Sequence, residues 1–375
     1  MKTLILSCNT GEGHNSCAKA IKEWYDAKNL YCEIKDALAF VSPGFSKFIS
    51  WGHVFMYRHM PGLFRFGYRS TENHPGVFKE DSFIYKLLTK GSSNLAQYIQ
   101  SESYDAVICT HVFAAIMLNE TRKIEDVRVI SSLVTTDYTC FPGAKEGNTD
   151  IYFVPHGSLN GDFECHGIDA EGLVVSGIPV RQQFYQKIPK EMAKLSYQIP
   201  TNHQHIVMSC GSMGCGPMKK LTSLLQRDMP VNCDLTIVCG TNRKLYNRLI
   251  KKYDDNRNIH IAGFVQNMSL LLDSADLYLT KPGGISVTEA AVKNLPMVFI
   301  DAVAGCELYN RLFFIRLGGA QTGANVDELA DICLRLMEEP GKLRKMQDSL
   351  KQLVTDNAAQ RIFITMEQQM ESRTI

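Results

Sequence analysis

A glycine turn between two apolar runs constrains the fold of this chain more than any other feature. Residues 280–291 predict the end of a strand, a turn at Gly283 and Gly284, and the start of a helix. The apolar residues 295–300 predict the next strand. Such a turn leaves backbone N–H groups without partners at the positive end of a helix, where a diphosphate can lie against bare glycine backbone. The segment therefore predicts a phosphate site between a strand and a helix.

Three further residues of this segment extend the prediction. Ile285 and Ser286 would present backbone N–H groups to the diphosphate, and Ser286 would add its hydroxyl. Glu289 lies about one helical turn further on, where a carboxylate can accept hydrogen bonds from ribose hydroxyls. The pattern therefore favours a nucleotide diphosphate, whereas a Gly-Gly pair alone is more typical of a tight turn that binds nothing.

The arrangement of apolar runs predicts the fold class. A chain of 375 residues exceeds what one hydrophobic core usually sustains, so we expect two domains. Apolar runs separated by helical patterns predict buried parallel strands with helices on both faces. The first series lies at 2–7, 31–35, 106–110, 127–134 and 151–154, and the second at 205–209, 234–239, 258–261, 277–280 and 297–300. We therefore expect an α/β protein with two Rossmann-like doubly wound domains.

The same pattern gives expected boundaries. The first domain would cover residues 1–180, a polar connection containing two prolines 181–203, and the second domain 204–355. A final helix would cover 356–375. Ligands of open α/β sheets bind outside the carboxyl ends of the strands, so the glycine loops of the two domains would border one cleft.

Composition narrows the classes of partner. The 40 Lys and Arg residues nearly balance the 39 Asp and Glu residues, which gives no support to a nucleic-acid partner. The 12 cysteines show no Cys-x-x-Cys spacing and are typical of small buried residues in a reducing cytosol. No Asp-x-Asp lies near the glycine turn and no cluster has metal-ligand spacing, so we expect no metal or other cofactor. No run reaches the roughly 18 apolar residues of a membrane span, so membrane contact would be peripheral.

Several short motifs occur in a fixed order between residues 11 and 310. They are Gly11-Glu12-Gly13-His14, Thr136-Asp137, Gly177-Ile178-Pro179-Val180-Arg181, Gly211-x-x-Gly214-x-Gly216, Gly263-Phe264-Val265, Pro282-Gly283-Gly284-x-Ser286-x-Thr288-Glu289 and Gly305-Cys306-Glu307-x-x-Asn310. In this order they resemble the glycosyltransferases that make monogalactosyl- and glucosyl-diacylglycerol, relatives of the lipid-linked N-acetylglucosaminyltransferase of cell-wall synthesis. The resemblance implies a GT-B fold, with two domains facing a central cleft and a C-terminal helix that crosses back to the first domain.

The resemblance also implies roles on the donor side. The donor would be a UDP-sugar held mainly by the second domain. The turn of Gly263, Phe264 and Val265 would contact uracil, and Glu307 and Asn310 would reach the sugar hydroxyls. The remaining glycines would either line the cleft or simply turn the chain; they are Gly11 and Gly13 near the first strand, and Gly211, Gly214 and Gly216 after the strand at 205–209.

Two residues of the first domain are candidates for catalysis. His14 follows the first strand in a loop, and an imidazole with an ordinary pKa near 6.5 can act as the base for an acceptor hydroxyl. The alternative is a helix-start histidine that bonds nearby backbone. Asp137 follows the strand at 127–134 and would support His14, or would merely cap the next helix. The family's His and Trp after this Thr-Asp are replaced by Thr139-Cys140-Phe141, a difference that bears on the acceptor more than on the reaction.

The predicted function is inverting transfer of a hexose from a UDP-sugar to a lipid, foremost diacylglycerol, giving a β-glycoside. Transfer of N-acetylglucosamine to a polyprenyl-linked cell-wall precursor is the nearest alternative. A sugar-nucleotide 2-epimerase fits less well, because it needs no surface for a lipid. A sugar-nucleotide-binding protein without turnover is the alternative outside the enzymes.

A segment of the first domain is expected to contact a membrane. No acidic residue lies between Asp36 and Glu72, and aromatic residues including Trp51 are interleaved there with basic ones. The basic residues are Lys47, Arg58, Arg65 and Arg69. Because basic side chains are drawn to anionic headgroups and aromatic rings favour the interface, we expect a cytoplasmic protein docked on the inner face of the cell membrane. The alternative is a helical subdomain that buries these rings against the first sheet.

Overall fold

A computed structural model of the protein describes residues 1–301, 305–354 and 356–374. Side chains are described within these ranges except at positions 53, 54, 57–59, 61, 64, 65, 68, 69, 73, 75 and 374. The chain divides into two compact units. The first is formed mainly by residues 1–182 and 356–374, and the second by residues 183–301 and 307–354.

Each unit contains one parallel sheet. The strands are β1 (Thr3–Ser7), β2 (Cys32–Asp36), β3 (Ala106–Cys109), β4 (Ile130–Val134), β5 (Ile151–Val154), β6 (Leu173–Val175), β7 (Gln204–Ser209), β8 (Cys233–Val238), β9 (Ile259–Ala262), β10 (Leu277–Thr280), β11 (Met297–Phe299) and β12 (Ala320–Thr322). Strands β1 to β6 form the first sheet and β7 to β12 the second.

Helices connect the strands. They are α1 (Glu12–Ala27), α2 (Pro43–His59), α3 (Pro61–Asn73), α4 (Phe83–Leu88), α5 (Ser92–Glu102), α6 (Val112–Ile124), α7 (Asn160–Cys165), α8 (Lys190–Ser196), α9 (Met218–Asp228), α10 (Arg243–Tyr253), α11 (Met268–Ser274), α12 (Gly284–Val292), α13 (Cys306–Leu317), α14 (Val326–Glu338), α15 (Pro340–Leu353) and α16 (Ala358–Thr374). Among the described residues, none of the helices has the length and apolar character needed to cross a bilayer.

The first sheet has the strand order β2-β1-β3-β4-β5-β6, with every pair parallel. All five residues of β1 are buried, as expected for a strand covered by helices on both faces. The chain first moves from β1 to β2 and then returns to place β3 on the other side of β1. The carboxyl ends of β1 and β3 therefore mark the switch point, where open α/β sheets bind ligands.

The second sheet repeats this design. Its order is β12-β11-β10-β7-β8-β9, again with parallel pairs, and β7 lies beside β10. The switch point is therefore at the carboxyl ends of β7 and β10. The loop that contains Gly211, Gly214 and Gly216 follows β7, and the turn of Gly283 and Gly284 follows β10. The topology thus places both glycine segments at the same edge of one sheet.

The end of the chain packs on the first unit. Helix α16 lies against α1, with the rings of Tyr25 and Phe363 edge to face at 5.0 Å between centroids. Arg373 donates a hydrogen bond of 3.2 Å to the carbonyl of Val129. The two Rossmann-like units and this returning helix agree with the fold class expected from the sequence.

Residues 183–203 are packed into the second unit. They contain α8, which lies against α11 and buries Ala193. The Lys194 ammonium donates to the carbonyl of His203 and lies 3.3 Å from the Asp276 carboxylate. The expected polar connection over 181–203 is therefore largely an ordered element, because the ion pair of Lys194 with Asp276 and the buried Ala193 attach it to the second unit.

Candidate active site

Helix α12 exposes one row of residues. Gly283, Ser286 and Glu289 are partly accessible, whereas most of the residues between them are buried. A spacing of three residues keeps side chains on one face of a helix. The residues predicted to meet a diphosphate and a ribose thus share the accessible face of an otherwise buried helix.

The start of α12 is open to an anion. Gly283 has extended backbone angles, with φ −74° and ψ 135°, and a Cβ atom placed on it would meet nothing within 4 Å. The fold itself therefore does not require a glycine here, and a side chain would project into open space before the helix. Within the described ranges, no side chain caps this end, and no acidic residue lies in the first turn of α12. The N–H of Gly283, which was expected to meet the diphosphate, instead donates to the carbonyl of Lys281 at 2.9 Å. The positive end of α12 can therefore accept a phosphate through the N–H groups from Gly284 onward.

The loop after β7 has a structural reason for its glycines. Gly214 has φ 54°, and a Cβ atom there would lie 2.3 Å from the carbonyl oxygen of Cys239. A Cβ on Gly216 would lie 3.7 Å from Cε of Lys281, the residue that follows β10. The loop therefore packs closely against β8 and against the turn before α12. Gly211 also has a positive φ, and the space around it is open.

Charged side chains surround the end of β7. Burial raises the pKa of the Cys210 thiol to about 12, and the nearby Lys281 acts in the opposite direction. Asp301 and Glu307 raise this pKa further, so both carboxylates lie close to the same thiol. Glu307 is partly accessible in the first turn of α13. Lys281, which directly precedes Pro282 and the glycine turn, was not among the residues expected at the site.

Asn310 has a different place from the sugar contact expected of it. Its side chain is fully buried, and Nδ2 donates a hydrogen bond of 2.9 Å to the carbonyl of Pro282. That carbonyl directly precedes Gly283, so Asn310 holds the glycine turn from beneath. Its buried side chain therefore positions the glycine turn and is not placed to contact the sugar.

The turn after β9 presents an aromatic ring. Phe264 is 69% exposed, and Gly263 has open space where a Cβ would lie. The Gly263 carbonyl accepts a hydrogen bond of 3.2 Å from the N–H of Gly240, which fixes the turn beside the end of β8. Val265 is partly accessible. The predicted uracil-binding residues therefore lie at the carboxyl edge of the second sheet.

In the first unit, His14 lies at the switch point. It belongs to the first turn of α1, so the expectation that it occupies a loop is wrong; the helix begins at Glu12, directly after an extended Gly11. Nδ1 of His14 lies 2.8 Å from the carbonyl oxygen of Thr110, which follows β3. Because a carbonyl only accepts, Nδ1 carries the hydrogen, and in the neutral ring Nε2 is then the basic nitrogen. The expected backbone contact and the expected base are therefore compatible.

Neighbouring groups orient this imidazole. The Thr136 hydroxyl lies 3.1 Å from Nδ1 of His14 and 3.5 Å from a carboxylate oxygen of Asp137. The ring of His111 packs edge-on against that of His14, with 4.4 Å between the ring centroids. Asp137 is thus linked to His14 through Thr136, which matches a supporting role. Gly11 and Gly13 flank the start of α1, and a Cβ on Gly11 would meet nothing within 4 Å.

Helices α2 and α3 carry exposed apolar side chains. Trp51 is 63% exposed and stacks on Phe55 at 5.3 Å between ring centroids, and Phe48 and Phe66 are also exposed. Phe45, in contrast, packs against the core of the first unit. Of the predicted basic residues, Lys47 is exposed. The side chains of Arg58, Arg65 and Arg69 lie outside the described residues.

Comparison with solved structures identifies the fold. The chain matches the crystal structure of Acinetobacter baumannii MurG with a TM-score of 0.68, over 98% of this chain and 100% of that chain, at 14% identity. With its two six-stranded parallel sheets, the chain therefore has the GT-B fold of glycosyltransferases.

Comparison of the sequence shows which families the chain resembles. Residues 14–180 match the monogalactosyldiacylglycerol (MGDG) synthase family, and residues 187–362 match the glycosyltransferase family 28 C-terminal domain. Two curated relatives are named processive diacylglycerol beta-glucosyltransferase. The one from Staphylococcus aureus (strain JH9) is 25% identical over 94% of this chain and 88% of its own length, and the one from Bacillus cereus (strain B4264) 26% over 94% and 89%. The chain is thus similar to the MGDG synthase family over residues 14–180 and to the glycosyltransferase family 28 C-terminal domain over residues 187–362, which confirms the resemblance seen in the sequence.

Proposed function

We propose that this enzyme transfers a hexose from a UDP-sugar to the hydroxyl of diacylglycerol, giving a β-glycosyl-diacylglycerol. The observation that carries the proposal is the open start of α12, with Ser286 and Glu289 on its accessible face. The curated relatives are named as diacylglycerol beta-glucosyltransferases, so glucose is the hexose we test first.

On the donor side, each part of a UDP-sugar has a partner. The backbone N–H groups of Gly284 and Ile285, with the Ser286 hydroxyl, bind the diphosphate at the positive end of α12. Glu289 accepts hydrogen bonds from the ribose. The turn at 263–265 binds uracil, and Glu307 meets the hydroxyls of the sugar. Asn310 supports this arrangement by holding the carbonyl of Pro282.

On the acceptor side, His14 is the base. The acceptor hydroxyl oxygen attacks the anomeric carbon of the sugar while its proton passes to Nε2 of His14. The bond from the anomeric carbon to the β-phosphate oxygen breaks, and its electron pair leaves with UDP. The Thr110 carbonyl bound to Nδ1 keeps the ring in the tautomer that this step requires.

The same step fixes the stereochemistry. Direct displacement with the acceptor entering opposite the leaving group inverts an α-linked donor to a β-glycoside. The developing negative charge on the diphosphate is stabilised by the N-terminus of α12 and its backbone N–H groups, a role that preorganised dipoles can fill without a metal ion. Metal-independent transfer therefore remains part of the proposal.

Product analysis tests the proposed function. The purified protein is incubated with diacylglycerol liposomes and, separately, UDP-glucose, UDP-galactose or UDP-N-acetylglucosamine, and the lipids are read by mass spectrometry. We expect diacylglycerol to gain the mass of a hexose, with a β linkage by NMR. Product formed solely from UDP-N-acetylglucosamine and a polyprenyl-linked acceptor would instead support the cell-wall alternative. Interconversion of UDP-N-acetylhexosamines without any lipid would support an epimerase.

We also propose that helices α2 and α3 contact the membrane that supplies the acceptor. Trp51, Phe48 and Phe66 expose large apolar surfaces on these helices, and Lys47 lies exposed among them. Exposed aromatic rings favour the bilayer interface, and neighbouring basic residues favour anionic headgroups by about 1 kcal/mol each. A peripheral position on the inner face of the cell membrane follows from this contact.

Charge reversal tests the membrane contact. Changing Lys47, Arg58, Arg65 and Arg69 together to Glu is expected to abolish sedimentation with anionic liposomes at low salt, because attraction to the headgroups becomes repulsion. Binding of UDP should persist. The control carries the same change of charge on exposed positions of α9 and α10, at Lys219, Lys244, Arg248 and Lys251. Equal loss in both variants, or sedimentation that survives the first, would place the docking surface elsewhere.

A further inference from the structure

A buried lysine lies at the switch point of the second sheet. Lys281 directly follows β10 and precedes the turn of Pro282 and Gly283, and its side chain is 7% exposed. Burial of an ammonium is costly unless a negative group compensates it. At the carboxyl edge of an open α/β sheet, such a lysine lies where a negatively charged ligand would bind.

The surroundings show where the ammonium points. The Lys281 stem passes Gly216, since a Cβ on that glycine would lie 3.7 Å from Cε. Nζ lies 4.0 Å from a carboxylate oxygen of Asp301, at the outer limit of an ion pair, and the Asp301 side chain is 46% exposed. The ammonium thus lies at the carboxyl edge of the sheet, between the loop after β7 and the segment that follows β11.

A nucleoside diphosphate bound at this edge of the sheet would require a positively charged group nearby. A nucleoside diphosphate carries at least two negative charges, while a helix N-terminus supplies about half a positive charge. The carboxylates of Asp301 and Glu307 lie near the same edge and would repel such a ligand. A full positive charge on Lys281 would offset the remaining negative charge of the ligand and its repulsion by these two carboxylates.

We infer that Lys281 binds the diphosphate of the nucleotide donor and stabilises the UDP leaving group through its ammonium. The inference rests on the proposed function and adds a residue that the sequence motifs had not assigned. Lys281 and the N-terminus of α12 then share the diphosphate, the helix through directed N–H groups and the lysine through charge.

Calorimetry with uridine and UDP separates this role from the others. Lys281→Met is expected to weaken UDP binding about 10- to 100-fold, the range for loss of one charge-assisted hydrogen bond, and to leave uridine binding within about twofold. The matched control is Lys293→Met. Lys293 is another buried lysine of this unit, paired with Asp273 at 2.7 Å, and its loss should leave the ratio of UDP to uridine affinity unchanged.

A second variant does not require a change in the core. Asp301→Asn removes the carboxylate beside Lys281 and is expected to strengthen UDP binding about two- to fivefold at low salt, with uridine unchanged. Because Asp301 is half exposed, this variant should fold even if Lys281→Met does not. In Lys281→Arg, which keeps the charge, most of the preference for UDP over uridine should remain.

The outcomes distinguish the inference from the proposed function. UDP affinity unchanged in Lys281→Met, or unchanged in Asp301→Asn where the Met variant fails to fold, would overturn the role of Lys281 and leave the proposed function standing. A wild-type protein that binds neither UDP nor a UDP-hexose would overturn both. Equal weakening of uridine and UDP in Lys281→Met, with normal thermal stability, would also contradict a contact with the phosphates.

Discussion

Replacing His14 with alanine is expected to lower kcat by about 10²–10⁴ and to leave the affinity for UDP nearly unchanged. The reason is that Nδ1 of His14 donates to the Thr110 carbonyl, so that Nε2 is the nitrogen able to take the acceptor proton. The residues that we assign to UDP belong to the other unit of the chain. Glucosylation of diacylglycerol liposomes at saturating UDP-glucose measures kcat, and calorimetry measures the affinity for UDP.

The matched control is another histidine of the same unit. His166 follows α7, and its side chain is 46% exposed. Its replacement by alanine should leave kcat near the wild-type value. Near-normal kcat in the His14 variant would remove the base assignment. Loss of UDP affinity together with kcat would point to a structural role for His14 rather than a catalytic one.

Most strands could be predicted because they are local patterns. Apolar runs at 151–154 and 277–280 coincide with β5 and β10, and several others differ by one residue. Buried parallel strands are continuous apolar runs, so their sequence carries the signal without help from partners. The two-sheet fold followed from their alternation with helices.

The local sequence predicts two short edge strands and the start of one helix less well. Strands β6 and β12 have three residues each, too few for a periodic pattern, and they form only by pairing with β5 and β11. Helix α1 starts at Glu12, so His14 lies in its first turn and not in the loop expected from the sequence. Gly11 and Gly13 argued against a helix locally, but the hydrogen bond from Ser7 to Asn15 holds the first turn against the end of β1.

The residues of the candidate site likewise fall into two groups, those that a local sequence pattern could predict and those that it could not. The open turn at Gly283 and the row that ends at Glu289 lie within one segment, so spacing alone could predict them. Lys281 and Asn310 act through contacts that the local sequence does not contain. Lys281 depends on Gly216 across the switch point, and Asn310 depends on Pro282 from the following helix. Such roles need the tertiary structure.

Replacing Glu289 with alanine is expected to weaken UDP binding by about 1–3 kcal/mol, or about 5- to 150-fold, because the ribose hydroxyls lose their acceptor. Uridine should weaken by the same factor, since it carries the same ribose. This distinguishes Glu289 from Lys281, whose loss should affect UDP and spare uridine. Calorimetry with both ligands measures the difference.

A deoxy ligand makes the assignment of Glu289 specific. In the wild-type protein, 2′-deoxy-UDP should bind more weakly than UDP, whereas in Glu289→Ala the two should bind alike, because the carboxylate that distinguishes them is gone. Glu338, exposed at the end of α14, provides the control, and its replacement by alanine should preserve the preference for UDP. If Glu289→Ala kept the wild-type preference for the ribonucleotide, another group would have to bind the ribose, and the accessible face of α12 would serve the phosphates alone.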